Sequence, residues 1–151
     1  MTTQTFWAHG SALRTIRFSG GTVAALDVNE YGATIVGGAV GPSPVNLSLT
    51  IPCPVSINGV QGKVLNGFLK YRHMAPGPVA IIDVRLMDGD TEIALWPGPL
   101  AMPPSGADHV EKFQLQSSVA ITCGLALTFR VDELPGAAKL EIIGAGVEIQ
   151  Y

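Results

Sequence analysis

The chain has 151 residues, 47% of them hydrophobic and only 14% charged, which suits one domain with a substantial core and excludes a disordered chain. A net charge of −3, with no aromatic residues interleaved among basic ones, excludes an electrostatic footprint for nucleic acid. No apolar run is long enough for a membrane-spanning helix, and "MTTQTFWAHG" lacks a basic region followed by an apolar stretch and cleavage site. The expected location is therefore the cytoplasm, or outside the cell by a route without a cleavable signal peptide.

The dominant period along the chain is two. "QTFWAHGSAL" opens it as a strand with Trp7 and His9 on one face, and Gly10 then allows a turn or bulge that a Cβ would resist. Here Trp7 is expected to fill the core while His9 caps a sheet edge by hydrogen bonding. "TVAALDV" and "YGATIVGGAV" are the next strands, and the Pro-rich "GPSP" is a turn. "VNLSLTI" alternates Leu47, Leu49 and Ile51 against polar partners. Asn58-Gly59 is a tight turn. "KVLNGFLKYRH" sets Leu65, Leu69 and Tyr71 on one side, with Asn66-Gly67 as a bulge inside the strand and His73 at its end.

"PVAIIDVRLMDG" and "TEIALW" form a hairpin around Asp88-Gly89, whose "DGDTE" carboxylates are expected to be solvated. "WPGPLAMPPSGAD" (96–108), with four prolines, is expected to cross from one sheet to the other. "HVEKFQLQ" follows. "SVAITCGLALTFRVD" then alternates so regularly, from Val119 through Ile121, Cys123 and Leu125 to Val131, that it reads as one long strand with Cys123 in the core. "AKLEIIGAGVEIQY" closes the chain, bent near Gly144 or Gly146. Eighteen Gly and 11 Pro cut the sequence at short intervals, and no stretch has helical periodicity. The expected fold is all-β, a single antiparallel β-sandwich or jelly roll over residues 1–151. Cys53 and Cys123 are expected to be buried free thiols, with a disulfide as the alternative.

Few side chains suggest chemistry. His109 and Glu111 share a strand face near Asp108, the best local arrangement for a metal, but two ligands are not a site. "DGDTE" lacks the spacing of a calcium loop. There is no Gly-x-Ser-x-Gly elbow and no phosphate loop. The expected assignment is no catalytic residue, no metal and no cofactor. Trp96, Tyr71 and Trp7 could stack on a sugar. Candidate ligand-facing residues are accordingly His109, Glu111, Trp96 and Tyr71.

Charge is missing from residues 31–62, 93–107 and 113–129. Outward positions there are small and neutral, which favours association over solitude. The reading placed first is a non-enzymatic module that self-associates as a homo-oligomer, in a larger bacterial or phage assembly or against another protein. The alternative is a carbohydrate-binding, lectin-like module whose partner is a glycan. The third is a small jelly-roll enzyme using His109 and Glu111.

"FWAHG" also resembles a group of small bacterial proteins, classed as a domain of unknown function, that open with a Trp-x-His-Gly motif. Trp7, His9 and Gly10 are the matching positions, and "IPCPVSINGVQGKVLNGFLKYR" extends the likeness. The resemblance implies an all-β fold and carries no catalytic role, which leaves His9 structural.

Overall fold

The computed structural model describes residues 1–18, 25–36, 45–74, 80–132 and 139–151. Thirteen strands are described: β1 (Thr3–His9), β2 (Arg14–Phe18), β3 (Ala25–Asn29), β4 (Gly32–Val36), β5 (Val45–Ile51), β6 (Ser56–Ile57), β7 (Val60–Gln61), β8 (Lys63–His73), β9 (Ala80–Asp88), β10 (Thr91–Pro97), β11 (Asp108–Ala120), β12 (Leu125–Asp132) and β13 (Lys139–Gln150). One 3-10 turn, Gly10–Ala12, is the only helical piece among the described residues.

The strands form an antiparallel β-sandwich of the jelly-roll kind, as the alternation predicts. One sheet runs β11-β8-β13-β4-β3, with β1 beside β13. β1 pairs with the second half of β13 and β4 with its first half, so the two share one flank of that strand. The other sheet runs β10-β9-β12-β5-β2. Every strand pair is antiparallel. The inward residues of each strand meet between the sheets. Leu47, Leu49, Val84, Leu86, Leu127 and Phe129 come from one side; Ile35, Leu69, Tyr71, Ile142, Val147 and Ile149 come from the other. Burial of these side chains is the main force holding the layers together.

Turn chemistry acts where it is expected. Asn58 and Gly59 both take positive φ and join β6 to β7. The "WPGPL…" segment carries the chain from β10 on one sheet to β11 on the other. The "GPSP" turn and the stretches around 19–24, 75–79 and 133–138 lie outside the described residues.

Four expectations are corrected. First, residues 119–131 are not one strand. β11 ends at Ala120 and β12 begins at Leu125, because the Asp88 carboxylate gathers the intervening turn. It accepts from Thr122 N and Oγ1 at 2.7 Å each, from Cys123 N at 2.8 Å and from Gly124 N at 2.9 Å. Second, Asp88 is therefore buried rather than solvated. Third, Cys123 lies exposed in that turn and Cys53 is half-buried, both as free thiols. Fourth, the bulge in β8 falls at Leu65. Val64 and Asn66 pair with neighbouring residues of β13, which leaves Leu65 as the extra residue and puts Val64 in the core in its place.

Candidate functional site

The outer face of the six-stranded sheet holds the site. Directly opposed residues of antiparallel strands point to the same side, so each rung can be read across the sheet from the register. One rung runs Trp7, Gly146, Phe68, Lys112 across β1, β13, β8 and β11. The next runs Thr5, Glu148, Asn66, Gln114. On the other side of the first lie His9, Gly144, Lys70 and Val110.

Trp7 is 45% exposed, which corrects the expectation that it fills the core. Phe6 and Ala8 face inward instead. The indole lies down across β13 and reaches Phe68 on β8, with ring centroids 5.7 Å apart and planes at 31°. It can do so because position 146 is glycine. A Cβ there would sit 2.8 Å from Trp7 Cδ2 and 3.0 Å from Cε3. The "GAG" of β13 is thus the floor on which an aromatic ring rests. Lys112 Nζ stands 5.8 Å from the centre of the Phe68 ring.

Polar groups border this aromatic row. On one side Asn66 Nδ2 donates to Glu148 Oε2. On the other, Lys70 Nζ lies 3.0 Å from Asp108 Oδ2, and Arg72 donates from Nε to Asp108 Oδ1 at 2.6 Å. Arg72 Nη1 is also 3.3 Å from Glu141 Oε2. Hydrogen bonds from Lys70 and Arg72 hold the Asp108 carboxyl below its usual range. The face therefore combines an open indole plane with hydrogen-bonding side chains fixed by their neighbours. Such a surface can stack on the apolar C–H face of a pyranose ring and bond its hydroxyls.

His9 sits at the end of β1 and is exposed. Its Nδ1 is 2.8 Å from Ser11 Oγ and accepts from Ser11 N at 3.2 Å, capping the 3-10 turn. Gly10 is required for closeness: a Cβ there would lie 1.8 Å from Ile142 O.

The four residues singled out from sequence lie elsewhere. Tyr71 is fully buried and its hydroxyl donates to Ala101 O at 2.7 Å. Burial and the nearby Glu111 push its pKa up to about 12. A fully buried ring cannot face a ligand, so Tyr71 is removed from the candidates. His109 and Glu111 point to the inner side of β11, beside Tyr71 and Leu69. His109 Nε2 and Glu111 Oε2 are 2.9 Å apart, and the imidazole meets the Tyr71 ring edge-on at 5.2 Å. Among the described residues no three His, Cys, Asp or Glu side chains gather as metal ligands.

Trp96 lies at the opposite edge, where β10 and β11 approach from different sheets. Its ring packs on Phe113 at 5.1 Å and its Nε1 donates to Gln114 O at 3.2 Å. A cleft of about 370 Å³ opens there. Sequence reasoning missed Phe68, Glu148 and Asn66. Trp7 was noted but placed inside, since Phe6 and Trp7 are both apolar and alternation alone does not say which is buried.

No family model matches the sequence, and no curated protein matches it. Among solved structures, one similar chain is described as a low affinity xylan binding module, CBM86, from the gut symbiont Roseburia intestinalis. It is 12% identical, with a TM-score of 0.55, over 99% of this chain and 97% of that one. A second is the family 29 carbohydrate-binding module CBM29_1 from Piromyces equi, 13% identical with a TM-score of 0.46, over 97% of this chain and 89% of that one. A third is a chain of infectious bursal disease virus, Gx strain, 12% identical with a TM-score of 0.49, over 99% of this chain and 32% of that one. The likeness to the xylan binding module is one of fold, a β-sandwich spanning both chains end to end.

Proposed function

We propose that this chain is a non-catalytic carbohydrate-binding module that takes a glycan on the outer face of the six-stranded sheet. The observation that carries this is the Trp7 indole, laid open on a glycine floor beside Phe68 and flanked by Glu148, Asn66 and Lys112. A large aromatic plane left in water on a sheet face is costly unless something covers it. The xylan binding module that shares this fold supports the reading.

Affinity electrophoresis through gels containing soluble xylan, β-glucan or mannan tests it. The parent chain is retarded by at least one polysaccharide, and Trp7→Ala is retarded less. Covering about 60 Å² of indole contributes roughly 1.5 kcal/mol, so truncation lowers affinity about tenfold. Equal migration of parent and variant in every gel refutes the assignment.

A second reading is self-association. The outer face of the five-stranded sheet carries a small neutral strip, Asn46, Ser48, Thr50, Ala126 and Thr128 on β5 and β12. It is bordered by Asp83, Arg85 and Arg130, with Arg130 Nε 3.3 Å from Asp83 Oδ2. Light scattering at high concentration tests this directly, and a strict monomer counts against it.

A further inference from the structure

We propose that the cleft between β10 and β11 is a second binding site, specific for a neutral oligosaccharide and separate from the Trp7 face.

The cleft is built by two irregularities that oppose each other. β10 is the edge of one sheet and β11 the edge of the other. β11 bows away from β8: between the Gln114–Asn66 and Val119–Val64 pairs, four residues stand opposite the single Leu65. β10 carries a bulge between Glu92 and Ala94 at the same flank. Where two edges would otherwise close the sandwich, they leave a hollow of about 370 Å³. That volume falls within the ~300–1,000 Å³ of small-molecule sites.

Its chemistry selects the ligand. Trp96, Leu95 and Leu115 supply apolar surface, and Gln114, Gln116 and Ser117 supply amide and hydroxyl groups. Among the described residues, no charged side chain lines it. A phosphate or carboxylate would find no cation there, and an ammonium group would find no anion. Polyhydroxylated rings match what is present: planar amides that donate and accept at once, beside an indole edge. The indole is also held rigid. Its Nε1–H is engaged by Gln114 O and its ring rests on Phe113, so little side-chain entropy is lost when a ligand docks. None of this depends on Trp7 or Phe68, so the cleft does not rest on the outer-face reading.

The chain has two tryptophans, one at each site, which allows the sites to be read apart. In Trp7→Phe protein, Trp96 is the sole indole. Its emission is titrated with xylo-, cello-, manno- and maltohexaose and with an uncharged ten-residue peptide. At least one hexaose gives a saturable change. Gln116→Ala in the same background weakens that binding threefold or more. Ser117→Tyr, which fills the cleft from an exposed position, abolishes it. A Trp96 signal silent to every hexaose overturns the proposal, and so does a response to the peptide alone, which assigns the cleft to strand addition. The reciprocal Trp96→Phe protein reports through Trp7. Its silence removes the outer-face site and leaves the cleft standing.

Discussion

Replacing Asp88 by asparagine tests whether one buried carboxylate joins the β9–β10 hairpin to the turn before β12. Its two oxygens accept four hydrogen bonds from Thr122, Cys123 and Gly124. Burial favours the neutral acid, but the bonds from Gly124, Thr122 and Cys123 together outweigh it, and the pKa falls from 3.8 to about 2. That difference corresponds to roughly 2–3 kcal/mol of stability at neutral pH. Because the folded value lies below the unfolded one, the contribution is complete above about pH 5. It is lost as pH falls through 3.8 towards 2. Asparagine keeps the shape but turns an NH₂ group towards two of the four donors, at a cost of about 2–4 kcal/mol. Urea unfolding followed by tryptophan emission measures both effects. At pH 7 the midpoint of Asp88→Asn drops by about 1–2 M. At pH 2.5 the gap between parent and variant narrows by roughly 1–2 kcal/mol. A variant within about 0.5 kcal/mol of the parent at pH 7, or a gap that is the same at both pH values, refutes the reasoning.

Three further outcomes follow from the same geometry. Gly10→Ala places a methyl group 1.8 Å from Ile142 O, backbone that cannot swing aside, so thermal unfolding shifts down by several degrees or the protein fails to fold; an unchanged melting curve contradicts the contact. Tyr71→Phe removes the bond to Ala101 O and leaves that carbonyl without its partner, a loss of about 1–2 kcal/mol in urea unfolding. Maleimide labelling followed by mass spectrometry modifies exposed Cys123 first. Cys53 reacts more slowly, because burial raises its pKa and restricts access; equal rates at the two thiols overturn this.

Alternation and turn chemistry, both local properties, were enough to read the class of fold. Leu47, Leu49 and Ile51 in β5, or Leu125 to Val131 in β12, can only be inward when their intervening residues are polar or small. Asn58 and Gly59 take the positive φ that an Asn-Gly turn favours, whereas the same dipeptide at Asn66-Gly67 runs within β8. The "WPGPL…" segment could be read as a crossover because four prolines interrupt strand alternation there, although its first residues still bond to β9, Gly98 N to Ile82 O and Leu100 N to Ile81 O.

What sequence order left open depends on partners far along the chain. Whether Phe6 or Trp7 faces the core depends on Ala145 and Val147 lying against one side of β1 and Gly146 leaving room on the other, about 140 residues away. The unbroken alternation through Cys123 hides a turn, because the group that bends it is Asp88 on another strand. Tyr71 reads as a stacking residue until β11 and the Ala101 carbonyl cover it. Sequence alone therefore determined most of the strand segments and the alternation within them, but not β2 (Arg14–Phe18) or the break between β11 and β12. Only the packing of the strands decided which aromatic rings meet water, since exposure belongs to pairs of distant segments and not to any one of them.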